Sequence, residues 1–286
     1  MKYAIYTPNF GPYTSPADLA DMARAAETAG WDGFFLWDHV AGWPHAIFDP
    51  WVTLTAVALA TTRLRFGCIT PLPRRRPWKL ARETASLDRL SGGRFTLIVG
   101  TGVGPAEWDD LGEETDLKKR GAMLDEGLDV LTGLWSGEPF SYTGEYYHVK
   151  EMCFLPTPVQ SPRVPVWVGG FWPNKAPFRR MARWDGMFPL FEEWEMDKVL
   201  PRLREALAYV RAQRSDPAAP FEVAVTGVTP GDAPAVAAEM VGAYAEAGAT
   251  WWLEGIAPYR LGLEFDAAWP LEAFYERIRQ GPPVDK

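Results

Sequence analysis

The sequence predicts an eight-stranded parallel barrel of the α/β class, the (β/α)8 or TIM-barrel fold. Strand-like and helix-like segments alternate along the whole chain and form eight β-then-α units, a pattern typical of a parallel sheet covered by helices. The chain has 286 residues, and a closed barrel of this kind takes about 250. Because no second hydrophobic core or dividing linker is evident, we expect one domain spanning residues 1–286.

The first four units are delimited by helix caps and glycine stops. Ser15 suits a helix N-cap, Pro16 the first helical position and Gly30 the position after the last turn. Gly92 and Gly93 end the third helix in the same way. The expected elements are strand 2–7, helix 16–29, strand 33–37, helix 50–61, strand 64–70, helix 77–90, strand 94–99 and helix 118–135.

The second half resumes the alternation after one interruption. Residues 140–149 have the pattern of a β-hairpin with Gly144 in the turn, and proline-rich coil follows them. We therefore expect an insertion of about residues 137–165, packed on the barrel between the fourth helix and the fifth strand. The remaining elements are strand 164–168, helix 174–183, strand 186–189, helix 197–213, strand 221–227, helix 233–247, strand 250–254 and helix 268–279.

Composition and charge argue against several classes of partner. The formal net charge is −8 and the pI is near 5.1, whereas nucleic acids and anionic membranes favour positive surfaces. The sequence has neither a membrane-helix run nor the features of a signal peptide. Two distant cysteines and three histidines indicate neither a disulfide framework nor a metal site. We expect a reduced cytoplasmic protein whose partner is a small molecule.

Active sites of (β/α)8 barrels lie at the C-terminal ends of the strands, and this rule selects the candidate residues. Aromatic residues are abundant, with 14 Trp, 15 Phe and 10 Tyr, and they either pack the core or line a pocket for a flat, conjugated ligand. The candidates at the strand ends are Asn9, Trp37, Asp38, His39, Cys68, Ile69, Thr70, Gly100, Thr101, Gly102, Gly169, Gly170 and Glu254.

The pair Asp38-His39 is the main catalytic candidate. An imidazole at the catalytic edge can take up or stabilise a proton near neutral pH. Asp38 can orient His39 or hold a loop. The alternative is a capping aspartate beside a histidine that only packs.

Two glycine-rich turns are candidates for holding a cofactor. The run GTGVGP at residues 100–105 exposes main-chain amides to an anion or a planar ring, although it lacks the lysine of a phosphate-binding P-loop. Gly169-Gly170 precede a predicted helix whose N-terminus can bind phosphate. Glycine in both places can also simply permit a tight turn.

Charged residues near the C-terminal ends of the strands have two possible roles. Arg74, Arg75 and Arg76, with Lys79 and Arg82, form a basic cluster in an acidic chain. They either attract an anionic cofactor tail or substrate, or are solvated surface charge. Glu107 and Glu254 are either proton donors or surface carboxylates.

Several segments, in this order, resemble the bacterial-luciferase-like superfamily. They are AETAGWDGFFLWDHV (26–40), LRFGCITPLPRRRPWKLARETASLDRLSGGRFTLIVGTG (64–102), RGAMLDEGLDVLTGLWSGEPFSYTGEYYHV (120–149), PTPVQSPRVPVWVGG (156–170) and RMARWDGMFP (180–189). LSGGRF followed by a strand and GTG is the most specific of them. The resemblance covers about residues 1–189 and weakens afterwards.

The resemblance implies a barrel oxidoreductase that binds FMN or the deazaflavin coenzyme F420 at the strand ends. It implies a bulge and a non-proline cis peptide bond at Cys68–Ile69 or the bond before it, and cofactor contacts from Thr101, Gly102, Gly169 and Gly170. His39 matches the histidine that lies near the hydride-transfer centre in the F420-using branch. Val103 and Gly104 stand where that branch often has an acid, so the proton donor is unassigned and Glu107 is the nearest acid.

These inferences predict hydride transfer between the reduced cofactor and a small organic substrate, with F420 favoured over FMN. His39 handles the proton, and Asp38 or Asn9 positions it. An FMNH2-dependent monooxygenase that uses O2 is the first alternative. A hydrolase or lyase using Asp38, Glu107 and Glu254, and a barrel that binds a ligand without turnover, are the others. The resemblance also suggests a homodimer.

Overall fold

The computed structural model describes residues 1–284, in which eight parallel strands close into a barrel. The strands run in the order β1, β12, β11, β10, β9, β6, β5 and β3 around the barrel, which confirms the predicted (β/α)8 fold. The strands of the chain are β1 (Lys2–Thr7), β2 (Phe10–Gly11), β3 (Gly33–Leu36), β4 (Ala46–Ile47), β5 (Arg65–Pro71), β6 (Leu97–Gly100), β7 (Phe140–Thr143), β8 (His148–Met152), β9 (Val166–Phe171), β10 (Gly186–Leu190), β11 (Glu222–Gly227) and β12 (Trp251–Gly255).

Helices follow the barrel strands and cover them. They are α1 (Pro16–Thr28), α2 (Pro50–Ala60), α3 (Pro77–Ser91), α4 (Leu117–Trp135), α5 (Lys175–Met181), α6 (Met196–Gln213), α7 (Pro234–Glu246) and α8 (Leu271–Arg279). Ser15 caps α1 as expected, because its hydroxyl accepts the Ala17 N–H and Asp18 completes a capping box. Gly92, at φ +65°, ends α3 in the left-handed conformation. No helix within residues 1–284 is long and apolar enough to cross a membrane.

Aromatic rings fill the interior of the barrel. The rings of Phe35, Trp167 and Trp251 lie 5.4–5.9 Å apart between centroids, and Tyr6 and Phe188 contact each other at 5.6 Å. Because side chains alternate along a strand, every second residue of each strand faces this interior and the others face the helices. These rings make the interior of the barrel a packed core, so a ligand can bind only at the mouth of the barrel.

Three element boundaries differ from the sequence-based expectation by three residues, and the others differ by two at most. Strand β6 begins at Leu97 and not at residue 94, since the Arg94 guanidinium instead anchors the end of α2 by donating to the Ala58 and Thr61 carbonyls. Helix α8 begins at Leu271 and not at residue 268, because Pro270 disfavours the helical conformation in the residue before it. Strand β9 extends to Phe171, three residues beyond the expected end.

The segment between α4 and β9 contains the hairpin β7–β8, and two helix carboxylates dock this segment onto the barrel. Glu126 of α4 accepts the backbone N–H groups of Glu145, Tyr146 and Tyr147. Asp88 of α3 accepts those of Val159 and Gln160. The short antiparallel pair β2–β4 was not predicted; it folds the loop after β3 back towards the loop after β1.

Candidate active site

A cavity of about 1020 Å³ opens at the C-terminal ends of the strands. It extends from the barrel mouth outwards along the first turns of α4 and α5. Its inner end is lined by Tyr6, Trp37, Asp38, His39, Ile69, Gly100, Glu107, Gly169, Phe188 and Leu190, and its outer end by Thr101, Gly102, Val103, Leu117, Lys118, Arg120, Asp125, Gly170, Phe171, Asn174 and Arg180. The volume lies at the upper end of the range for small-molecule and cofactor pockets.

Part of the cavity wall is bare main chain from neighbouring strands. Gly100 of β6 and Gly169 of β9 both line the cavity. A Cβ atom added to Gly169 would lie 3.6 Å from the Val99 carbonyl oxygen and 3.8 Å from that of Phe188. Such a methyl group fits without a clash and would occupy cavity space. A flat ring can therefore approach the backbone at these glycines more closely than it could approach a residue that has a side chain.

Gly102 is required for a different reason. Its φ is +81°, and a Cβ atom there would lie 2.3 Å from the Trp108 ring. The turn after β6 therefore depends on glycine for its backbone conformation and for the packing of Trp108.

His39 sits at the inner end of the cavity, surrounded by aromatic rings. Its side chain is 13% exposed. The imidazole centroid lies 5.1 Å from the Trp43 ring and 5.7 Å from the rings of Phe10 and Trp37. Trp43 and Phe10 were not among the predicted site residues. The signal available for them was their position, since Phe10 directly follows Asn9 at the end of the first strand and Trp43 lies in the loop after His39.

Asn9 supports His39 through its backbone and does not line the cavity. It is fully buried. Its amide accepts the His39 N–H at 3.1 Å and donates to the His39 and Phe48 carbonyls at 2.8 Å. The predicted cofactor ligand is therefore a buried group that fixes the loop carrying the histidine.

Glu107 contacts the His39 ring directly. Its Oε2 atom lies 3.1 Å from His39 Nδ1 and accepts a 3.0 Å hydrogen bond from Arg74. Its Oε1 atom accepts the N–H of Val40 at 2.6 Å. Burial raises the pKa of Glu107, but the contacts with His39, the Val40 N–H and Arg74 outweigh it and lower the pKa to about 2. The carboxylate is therefore ionised at neutral pH and serves as a fixed negative charge; it is not poised to donate a proton.

Asp38 is held by arginines and does not touch the His39 ring. The Arg75 guanidinium donates to both Asp38 oxygens at 2.7–2.8 Å, and Arg74 donates to the Asp38 carbonyl at 2.9 Å. Arg74 thus bridges Asp38 and Glu107. Arg74 and Arg75 are therefore paired with buried carboxylates and are not free to bind an anion. Arg76 and Lys79 of the same basic cluster are exposed to solvent.

The candidate residues Cys68, Ile69 and Thr70 of strand β5 lie on two different faces of the strand. Ile69 faces the barrel interior and lines the cavity. Cys68 and Thr70 point the other way, into the helical layer; both are fully buried, and their Sγ and Oγ1 atoms lie 3.3 Å apart. Burial raises the pKa of the Cys68 thiol. Neither side chain reaches the cavity, because adjacent strand residues face opposite sides.

The expected non-proline cis bond is also absent from β5. The cis bonds within residues 1–284 all precede prolines, at Leu155–Pro156, Ser161–Pro162 and Trp172–Pro173. Strand β5 instead keeps a continuous register with β6, pairing Phe66 with Phe95 and Ile69 with Ile98. A trans backbone satisfies this ladder, whereas a non-proline cis bond costs about 3–4 kcal/mol.

Glu254 faces the helical layer on the far side of β12. It is fully buried and accepts from Thr229, from the Trp252 indole at 2.7 Å and from the Arg260 guanidinium. It lies outside the cavity, and Arg277 is 3.5 Å away. Asp38, Glu107 and Glu254 therefore do not form the set of facing carboxylates that the hydrolase or lyase alternative requires. No cluster of metal-ligating side chains occurs in the described part of the chain either.

The outer end of the cavity is positively charged. Arg180 is neutralised by two 2.7 Å hydrogen bonds to Asp125. Arg120 stacks on Trp108, with its guanidinium carbon 4.2 Å from the ring centroid, and donates to the Thr101 carbonyl. Lys118 is exposed in the first turn of α4. The geometry thus combines an apolar inner chamber, a bare backbone wall and a cationic outer end.

The chain matches known proteins along most of its length. The family model described as luciferase-like monooxygenase matches residues 1–275. An uncharacterized protein of Mycobacterium tuberculosis is 30% identical over 225 residues, which cover 71% of this chain and 74% of that protein. The F420-dependent glucose-6-phosphate dehydrogenase of Microbacterium testaceum is 32% identical over 225 residues, covering 74% of this chain but only 64% of that protein.

Among solved structures, the monooxygenase RslO1 from Streptomyces bottropensis superimposes with a TM-score of 0.78. The alignment covers 98% of this chain and 97% of that one, at 20% sequence identity. At this level of identity the likeness establishes the shared barrel fold and nothing further about the reaction.

Proposed function

Because this chain belongs to the luciferase-like monooxygenase family, we propose that it is an oxidoreductase that transfers a hydride between a reduced cofactor and a small organic substrate. The cofactor is F420, favoured over FMN. A curated relative at 32% identity is named as F420-dependent, and His39 lies where the F420-using branch has its histidine. The relative's sugar-phosphate substrate is not carried over.

The observation that carries the proposal is the position of His39 at the closed, apolar end of a cavity with a bare backbone wall. Gly100 and Gly169 leave room for a planar ring against the strands. Tyr6, Trp37 and Phe188 give the inner end of the cavity an aromatic lining. Lys118 and Arg120 at the outer end suit the phosphate that both FMN and F420 carry. The residues present therefore fit a tricyclic redox cofactor.

When bound, the reduced cofactor supplies two electrons as a hydride, and the protein supplies orientation and a proton. The ionised Glu107 carboxylate favours the tautomer in which His39 Nδ1 carries hydrogen. Nε2, on the opposite edge of the ring, is then the atom that takes up or delivers the substrate proton. Asn9 fixes the backbone of His39, and Arg74 fixes Glu107, so the proton-handling atom is held before substrate arrives.

Separate titrations of the pure protein with F420 and with FMN test the proposal. We expect F420 fluorescence to be quenched on binding, and FMN to bind more weakly. Tighter binding of FMN, together with O2 consumption in the presence of FMNH2, would instead establish the monooxygenase alternative. If neither cofactor binds, the proposed function is wrong.

A further inference from the structure

Two hydrogen-bond donors at the inner end of the cavity have no acceptor in the protein. Tyr6 of β1 is 8% exposed and lines the cavity, and no group within residues 1–284 hydrogen-bonds to its hydroxyl. Trp37 also lines the cavity, and its indole Nε1 is buried without a partner in the described part of the chain. Because buried phenol and indole groups normally find a partner, these two donors indicate a ligand.

The carboxylates at the same end of the cavity are already engaged. Asp38 and Glu107 both pair with Arg74, and Glu107 also contacts the His39 ring. None of these contacts involves the two donors. The Tyr6 hydroxyl and the Trp37 indole therefore lie outside the charged network that supports the histidine, in a chamber whose other walls are apolar.

Packing against neighbouring rings holds Tyr6 in place. Its ring centroid lies 5.7 Å from that of Trp37 and 5.6 Å from that of Phe188. Burial raises the pKa of the Tyr6 hydroxyl above its ordinary value, so the oxygen keeps its hydrogen at neutral pH. The indole N–H of Trp37 can only donate. Both residues thus present donors in fixed positions, and a ligand that complements them must carry acceptors.

The position of the donors fits the ring of the cofactor. Strands β1 and β9 lie on opposite sides of the barrel, so Tyr6 and the bare backbone at Gly169 approach the inner end of the cavity from opposite sides. A cofactor whose phosphate lies at Lys118 and Arg120 extends its ring to this inner end. The pyrimidine part of the flavin ring and of the deazaflavin ring carries two carbonyl oxygens, which are acceptors.

We propose that the Tyr6 hydroxyl and the Trp37 indole N–H donate hydrogen bonds to the pyrimidine carbonyl oxygens of the bound cofactor, and that Tyr6 thereby raises the reduction potential of the cofactor. The inference rests on the proposed function, because it requires a flavin-type ring in this cavity. It concerns the ring itself and holds for F420 and for FMN.

The effect on the reduction potential follows from the charge of the ring. When a C–H bond of the substrate breaks, the oxidised ring takes up the hydride and so gains one hydrogen and two electrons. The added negative charge spreads over the pyrimidine carbonyls. A hydrogen bond to a charged acceptor is roughly twice as strong as one to a neutral acceptor. Tyr6 therefore stabilises the reduced ring more than the oxidised ring.

Separate titrations with oxidised and with reduced cofactor, followed by quenching of tryptophan fluorescence, test the role of Tyr6. We expect Tyr6→Phe to weaken binding of the reduced form about fivefold more than binding of the oxidised form, which lowers the two-electron reduction potential of the bound cofactor by about 20 mV. Tyr244→Phe is the matched control. Tyr244 of α7 is buried against Trp252, away from the cavity, and its substitution should leave both affinities unchanged.

The infrared spectrum of the bound oxidised cofactor tests the contact itself. A hydrogen bond lowers the stretching frequency of a carbonyl group, so the ring carbonyl bands should move to higher wavenumber in Tyr6→Phe and in Trp37→Phe, and should not move in Tyr244→Phe. The Tm of cofactor-free Tyr6→Phe should be no lower than that of the wild type, because the hydroxyl has no hydrogen bond within the protein to lose.

The possible outcomes separate this inference from the proposed function. Carbonyl bands that do not move in Tyr6→Phe, or equal weakening of the oxidised and reduced forms, overturn the inference while the proposed function stands. A Tm of cofactor-free Tyr6→Phe well below that of the wild type assigns the hydroxyl a role in folding and also overturns the inference. Failure of the wild type to bind either cofactor overturns the proposed function.

Discussion

The Nδ1 atom of His39 lies 3.1 Å from Oε2 of Glu107. The two residues come from the loops after β3 and β6, which are not adjacent in the barrel. Arg74, from the loop after β5 that lies between them, donates to the same carboxylate oxygen at 3.0 Å. Three consecutive loops of the barrel mouth thus converge on one carboxylate, which favours hydrogen on the Nδ1 atom of the histidine.

Glu107→Gln should reduce turnover far more than cofactor affinity. The amide keeps most of the shape but loses the charge that favours hydrogen on His39 Nδ1, so Nε2 is left in the wrong protonation state more often. We expect kcat to fall roughly 100-fold, within the range for general acid–base groups, while the Kd for cofactor changes little. Steady-state kinetics and cofactor titration measure the two effects separately.

Asp110→Asn is the matched control for Glu107→Gln. Asp110 is an exposed carboxylate in the same loop, and its neutralisation should leave kcat unchanged. Equal losses in the two variants would indicate a general effect of charge and not a role for Glu107 at His39.

Glu107 should also make stability depend on pH. Its pKa in the folded protein is lowered to about 2, so its contribution is fully present above its ordinary pKa of about 4.3 and is lost as pH falls towards 2. The wild type should therefore have a higher free energy of unfolding than Glu107→Gln. The difference between the two should be constant from pH 7 to about 5 and should become smaller below that. Urea unfolding at several pH values measures it; a gap that widens on acidification contradicts the assignment.

Arg74→Gln should be strongly destabilising. Arg74 is the shared partner of Asp38 and Glu107, and its removal leaves buried negative charge with less compensation. Breaking a buried ion pair from one side costs about 3–5 kcal/mol. Chemical denaturation measures the loss. Arg76→Gln alters an exposed arginine of the same run, and its free energy of unfolding should stay within about 0.5 kcal/mol of that of the wild type. Similar losses in the two variants would contradict a stabilising role for the buried ion pairs of Arg74.

Gly169→Ala and Gly102→Ala should affect different properties. The added methyl at position 169 meets only ordinary contacts and occupies the cavity wall, whereas at position 102 it meets Trp108 with the backbone at positive φ. We expect Gly169→Ala to weaken cofactor binding about tenfold with unchanged Tm. Gly102→Ala should lower stability by about 1–3 kcal/mol. If Gly169→Ala binds the cofactor with wild-type affinity, the backbone wall at Gly169 is not part of the cofactor site.

The sequence by itself determined the alternation of eight strands and helices, and with it the closed parallel barrel. The rule that barrel chemistry lies at the C-terminal strand ends then selected His39, Thr101 and Gly169, which the fold brings to one cavity. These features are local, because each strand, glycine turn and loop histidine is encoded within a short window. The family resemblance rested on the same local segments.

Only the tertiary structure decided which side chains meet. Asn9 and Glu107 were both candidates, but their roles as supports of His39 follow from contacts between loops far apart in sequence. Cys68 and Thr70 were excluded from the cavity by the orientation of β5, which no local pattern reveals. The pairing of Arg74 with Glu107 and the packing of Phe265 beside Trp43 arise because barrel closure places the ends of distant strands within a few ångströms.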